Sequence, residues 1–146
     1  MPRYFEDLVE RETLESAART ITAADVEAFA DLTGDTNQIH LSDEFARNSR
    51  FGRRVAHGAF VLSVSLGQLW REDAKRADII ALASIEKLRF AQPTFLGDSV
   101  RVRQTLVSLN AVSAEAGLVE ARHEVLNQDD AVVLSYSAKL LVRRKG

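Results

Sequence analysis

The sequence predicts an α+β chain in which one antiparallel β-sheet curls around a single hydrophobic helix. Three features point there. Apolar residues recur at helical spacing from Thr22 to Thr33, an apolar run from His57 to about Trp70 is hydrophobic on nearly every side, and from Ile79 onward the pattern switches to strands. A helix apolar all round has to be wrapped, and four strand-like segments follow it to do the wrapping. With 146 residues, only Pro2 and Pro93 as prolines, and no Ser/Gly-rich linker or internal repeat, residues 1–146 read as one domain with a core at about 12–143.

Each element has a local reason. Glu12 to Arg19 can form a first strand. Thr22 then supplies an N-cap, Asp25 favours the positive end of the helix dipole, Val26, Phe29, Ala30 and Thr33 lie at helical spacing, and Gly34 stops the helix. The stretch from Asp35 to Val55 lacks a clear period, is dense in Asp, Asn, Arg and Gly, and contains one short helix near Ser42 to Arg47; long irregular segments inside compact folds often carry function. In the apolar helix, Phe60, Val61, Leu62, Val64, Leu66 and Leu69 alternate with small Gly58, Ser63, Ser65 and Gly67. Ile79 to Phe90, Ser99 to Leu109, Leu118 to Asn127 and Ala131 to Val142 follow as strands, with Gly97-Asp98 and Gln128-Asp129-Asp130 as turns, the latter closing a short hairpin.

Composition excludes several functions. Nineteen Lys and Arg stand against 21 Asp and Glu, a net charge of −2, with no basic run to track a phosphate backbone, so no nucleic-acid partner is expected. The start is acidic, and no stretch approaches the ~20 apolar residues of a membrane span, so neither an export signal nor a membrane partner is expected. The absence of cysteine removes a disulfide scaffold, a thiolate metal site and a cysteine nucleophile, and fits a reducing compartment; the expected location is the cytoplasm.

Chemistry concentrates in two places. Gly34-Asp35-Thr36-Asn37-Gln38-Ile39-His40 brings a carboxylate, an amide and an imidazole within six positions. Histidine takes and returns a proton near neutrality, and a carboxylate orients a water or an imidazole. An Asx-type turn with a solvated histidine accounts for the same spacing. Asp35, His40 and His57 are also candidate metal ligands, yet no His-x-x-x-His or cysteine pair accompanies them, and no metal is expected. Ser63 and Ser65 lack the context of a serine nucleophile. The second place is Val55-Ala56-His57-Gly58-Ala59, where a His-Gly pair opens the apolar helix. The free N–H of Gly58 can donate to a developing oxyanion, or the glycine can simply permit close packing.

Together these residues resemble the MaoC-like, (R)-specific enoyl-CoA hydratase family, whose members have the hotdog fold. The resemblance rests on Phe29-Ala30-Asp31-Leu32-Thr33-Gly34-Asp35-Thr36-Asn37-Gln38-Ile39-His40, on Val55-Ala56-His57-Gly58, and on Phe90-Ala91-Gln92-Pro93-Thr94-Phe95-Leu96-Gly97-Asp98, and covers roughly Thr22 to Leu141. One departure is Gln38, where the family usually has proline. The resemblance implies that His40 is the general base, that Asp35 orients a water, that Gly58 N–H is the oxyanion donor and that Asn37 braces the loop.

The product would be an (R)-3-hydroxyacyl thioester formed by hydration of a trans-2-enoyl thioester. Dehydration on coenzyme A or acyl carrier protein is the rival within enzymes, and a non-catalytic acyl-CoA-binding module the rival outside them. No cofactor is expected beyond the coenzyme A or acyl carrier protein of the substrate. His57 is a candidate for substrate binding or simply for capping the helix it opens, and Phe60, with Leu62 and Val64, is a candidate for an acyl pocket or simply for core. Arg53 and Arg54, with Arg47 and Arg50, are candidates for the phosphates of coenzyme A or a solvated basic loop. The resemblance also implies a homodimer or higher homo-oligomer with the site between subunits, and the apolar last strand, Val132 to Val142, offers an edge that pairing would protect.

Overall fold

The computed structural model describes residues 1–72 and 76–146. A short 3₁₀ turn at Phe5–Asp7 precedes β1 (Thr13–Glu15) and β2 (Arg19–Thr20); then come α1 (Ala23–Thr33), α2 (Gln38–Leu41), α3 (Asp43–Arg47) and α4 (Gly58–Trp70), followed by β3 (Ile79–Phe90), β4 (Ser99–Ala111), β5 (Ala116–Leu126) and β6 (Val132–Arg143). The strands form a six-stranded sheet in the order β1-β4-β5-β6-β3, with β2 also on β4 and every pairing antiparallel. The expected α+β architecture is therefore present.

The long elements fall where their periodicity places them. Thr22 accepts the Asp25 N–H at 3.1 Å while the Asp25 carboxylate accepts the Thr22 N–H at 3.0 Å, a reciprocal cap, and Gly34 closes α1 at φ 81°. The first strand differs from expectation: it breaks at Ser16. The Ser16 hydroxyl accepts the Val102 N–H at 2.9 Å, taking a ladder bond that a strand carbonyl would otherwise receive, and the chain re-enters the sheet only at Arg19.

The sheet covers one face of α4. Val61, Val64, Ser65, Gln68 and Leu69 are buried there against Val100, Val102, Val125, Leu134 and Tyr136. Two polar contacts fix the helix on this apolar floor: Ser65 Oγ lies 2.6 Å from Tyr136 Oη, and Gln68 Nε2 donates to the carbonyls of Ala17 and Val100. The opposite side, with Ala59, Ser63, Gly67 and Trp70, is exposed. One curled layer, as expected from the sequence, wraps the helix on the side it faces.

The free edge also differs. β6 lies between β5 and β3 and is bonded on both sides, so the exposed edge belongs to β3, where Ile80, Leu82, Leu88 and Phe90 are 38–56% exposed. Among the described residues no helix is long and apolar enough to cross a membrane.

Candidate active site

Local hydrogen bonding shapes the loop after α1. Thr33 Oγ1 donates to the Phe29 carbonyl at 2.7 Å and accepts the Asp35 N–H at 3.2 Å, which turns the chain sharply out of the helix. Asn37 Oδ1 accepts the Ile39 N–H at 3.1 Å and so caps α2, a single turn that carries His40. Ser42 caps α3 in the same way through the Phe45 N–H. The sequence predicts α3 but not α2; the signal for α2 is Asn37 five residues before the capping residue Ser42, with Ile39 and Leu41 between.

The geometry brings Asp35, His40 and His57 together, with one ligand-type atom of each lying within 4.8 Å of the others. Asp35 is exposed, His40 half-buried and His57 buried. His40 Nδ1 sits 2.7 Å from the Val55 carbonyl. A carbonyl only accepts, so Nδ1 carries a proton, and in the neutral ring Nε2 holds the lone pair. His57 Nε2 lies 2.9 Å from the Asp35 carbonyl and by the same logic is its donor, which leaves buried Nδ1 bare and without a partner. The two imidazoles stack with centroids 3.8 Å apart and planes 27° apart, and Phe29 meets the His57 ring edge-on at 5.0 Å. Face-to-face rings direct their lone pairs along near-parallel planes, whereas metal ligands must converge on one point.

Gly58 follows directly. The N–H groups of Gly58 and Ala59 precede the first bond of α4, in which Phe60 N–H reaches the His57 carbonyl at 3.1 Å, so both stand free at the positive end of the helix. A Cβ at position 58 would lie 2.6 Å from Phe90 Cε1. Close packing and an open donor are thus both present at this glycine.

The other candidates surround this cluster or lie outside it. Arg54 turns inward: its side chain is 10% exposed, Nε donates to the His40 carbonyl at 2.7 Å, and Glu27 and Asp43 flank the guanidinium at 3.8 Å. Arg53 is exposed and lies 3.9 Å over the Phe95 ring. Phe60 packs on Phe29 at 5.3 Å.

Several spaces border α4. A groove of about 620 Å³ starts at Gly58 and Ala59, runs past Phe90 and Pro93, and has Arg50 and Phe51 on its wall. At the other end of the helix, an apolar cavity of about 350 Å³ is lined by Leu14, Leu66, Leu69, Leu106 and Leu140. That cavity lies further along α4 than the stripe of Phe60, Leu62 and Val64 singled out in the sequence.

A family model described as MaoC like domain matches residues 5–128. The chain belongs to the MaoC-like family. Among relatives of this MaoC-like protein, Protein MaoC of Klebsiella aerogenes is 39% identical over 103 residues, 70% of this chain and 30% of that protein. A 3-hydroxybutyryl-CoA dehydratase of Methylorubrum extorquens is 38% identical over 109 residues, 73% of this chain and 65% of the relative. An (R)-specific enoyl-CoA hydratase of Rhodospirillum rubrum is 33% identical over 109 residues, 73% and 71% of the two chains. The alignments thus span less than two thirds of the first two relatives.

Among solved structures, an Archaeoglobus protein described as a monoamine oxidase regulatory protein superposes with a TM-score of 0.92 at 32% identity over 99% of this chain and 97% of that one. A Mycobacterium tuberculosis chain with a double hotdog fold superposes with a TM-score of 0.88 at 20% identity, over 99% of this chain and 45% of its own. The MaoC-like chain has the hotdog fold.

Proposed function

We propose that this MaoC-like protein is an (R)-specific enoyl-CoA hydratase that adds water reversibly to a trans-2-enoyl thioester and gives the (R)-3-hydroxyacyl thioester. The observation that carries this is the His40 ring: its Nδ1–H is committed to the Val55 carbonyl, which leaves Nε2 for the reaction in a cluster where ligand-type atoms of His40, Asp35 and His57 lie within 4.8 Å of one another and His57 directly precedes α4. Names of the relatives, which include an enoyl-CoA hydratase and a 3-hydroxybutyryl-CoA dehydratase, support the same chemistry.

The steps follow from the charges. A water held between the carboxylate and the imidazole loses a proton to His40 Nε2 as its oxygen bonds to C3. Electron density moves through C2 onto the thioester oxygen, where Gly58 N–H receives it. The proton taken up by His40 Nε2 is then delivered to C2, with Asp35 orienting the water and assisting that transfer, so one water is added across the double bond, His40 returns to its starting form and nothing is oxidised. Asn37 acts by capping the turn that carries His40. No cofactor besides the thioester carrier enters this balance. The reverse reaction uses the same groups, so dehydration of a carrier-bound (R)-3-hydroxyacyl group remains within reach of the site.

The acyl chain, on this reading, follows α4 from Gly58 toward the cavity at Leu66 and Leu69, about 12 Å along the axis at 1.5 Å per residue. A homodimer through the β3 edge and a cytoplasmic location complete the proposal; a chain without cysteine suits a reducing compartment.

The test is loss of enoyl absorbance with crotonyl-CoA and trans-2-octenoyl-CoA, with chiral analysis of the product. The (R)-alcohol is expected, with the longer substrate preferred in kcat/KM. Asp35→Asn and His40→Ala are each expected to lower kcat by at least ~10²-fold without changing thermal unfolding. Near-wild-type rates in either variant would remove the assignment. Tight acyl-CoA binding without turnover would instead indicate a binding module.

A further inference from the structure

Beyond these catalytic groups, His57 has no task in the reaction as written, although it is 3% exposed and touches both of them. Its Nε2–H donates to the Asp35 carbonyl at 2.9 Å, its ring stacks on His40 at 3.8 Å, and the edge of Phe29 closes its other side. As the residue before α4, it makes no side-chain cap to that helix. The whole ring is therefore directed at the loop and not at its own element.

We propose that His57 is a positioning residue: its N–H holds the Asp35 turn, its ring plane holds the His40 imidazole, and the two catalytic groups are thereby set at one distance from each other.

The physical argument is one of pre-organisation. Asp35 is exposed, and its carboxylate meets within the loop only the Asn37 N–H at a long 3.4 Å, so its own hydrogen bonding does not fix it. The His40 ring is tied at one atom, Nδ1, and a single hydrogen bond leaves rotation about that bond open. A buried flat ring stacked on it removes this freedom, because tilting His40 would drive it into His57. A misplacement of 1 Å in such a pair can cost about 10²-fold in rate. Backing comes from Arg54, which holds the His40 carbonyl, with Glu27 and Asp43 as its counter-ions; these and Asp35 are the charged groups around the stack.

The inference rests on the hydratase reading, and the test separates the two. His57→Phe keeps a ring against His40 but loses the N–H; His57→Gln keeps a side-chain N–H at similar reach but loses the ring; His57→Ala loses both. Expected are kcat losses of about tenfold for Phe and for Gln and about 10²-fold for Ala, with KM within threefold throughout. A second readout needs no turnover. The chain has three histidines, and imidazole nitrogen NMR should show His40 as the Nδ1–H tautomer in the wild type and in His57→Phe, but as a mixture of tautomers in His57→Ala.

Unchanged kcat together with unchanged His40 signals overturns the proposal. So does a rise in KM at constant kcat, which would make His57 a substrate contact, and so does a loss of kcat that merely follows the loss of Tm across all three variants. Should the wild type turn over no enoyl thioester, the hydratase reading fails and the His40 tautomers alone decide the positioning role.

Discussion

A single buried residue far from the loop sets an acid sensitivity. His123 is 1% exposed, meets Tyr136 edge-on at 4.8 Å, and accepts from Gln104 Nε2 at 2.9 Å. Burial disfavours its charged form and pushes its pKa from 6.5 down to about 4. Between those values the unfolded chain holds a proton at this position and the folded chain does not. Stability therefore rises with pH across the window and is lost as pH falls from about 6.5, by roughly 3 kcal/mol at pH 4 for this one group. Urea midpoints measured from pH 7 to pH 4.5 should fall more steeply for the wild type than for His123→Phe, which keeps a ring against Tyr136. Equal slopes would show that the imidazole is protonated in the fold. Nothing in the spacing of residue 123 announced this, since the alternation that marks β5 is silent on which buried position is polar. Asp35, His40 and Gly58 were legible because they lie in short local motifs. The His57 stack was not, because the two rings are 17 positions apart in sequence and only the fold joins them.

At the scale of elements, α2 is the instructive case. One turn is too short to show a period, so the sequence read Asp35 to Val55 as irregular, whereas α1, α4 and the four long strands declared themselves by repetition. The split of the first strand at Ser16 was equally hidden, because it depends on Val102, far along the chain. Once α2 is seen, the departure at Gln38 has a physical meaning. Gln38 is the first helical residue after the Asn37 cap, a position where the backbone N–H has no helical partner and where proline fits without loss. Asn37 itself is extended, at φ −55° and ψ 130°, as a residue before proline prefers. Gln38→Pro is therefore expected to stabilise the fold by about 0.4–1 kcal/mol, chiefly by restricting the unfolded chain. Thermal scans should show a rise of about 1–4 °C, with kcat on crotonyl-CoA within twofold of the wild type. A fall in Tm would mean that the loop needs the N–H or the flexibility of glutamine.

On the scale of the whole molecule, large apolar side chains stand exposed along β3 and at the end of α4. Ile80 and Leu82 are each 45% exposed, Phe90 is 56% exposed and Trp70 48%, and β3 has a neighbour on one edge only. A long apolar edge strand is a template for pairing, and monomers generally blunt such edges with charge, proline or brevity. Here twelve residues run with bulges near Ile79, Leu82 and Glu86, and apolar side chains persist between them. In sequence this strand reads as one of four that wrap the helix, because composition alone does not tell a covered strand from an exposed edge. A symmetric partner laid along β3 would cover this edge and its exposed apolar side chains. Leu82→Lys places a charge in that seam while leaving the chain's own core intact. Sedimentation should give twice the chain mass for the wild type and a shift toward one chain mass for Leu82→Lys. Turnover should fall along with the dimer fraction if the site needs the second subunit. A wild type that sediments as one chain at every concentration would refute the dimer. A monomeric Leu82→Lys protein with full turnover would show instead that Asp35, His40 and Gly58 form a complete site within one chain.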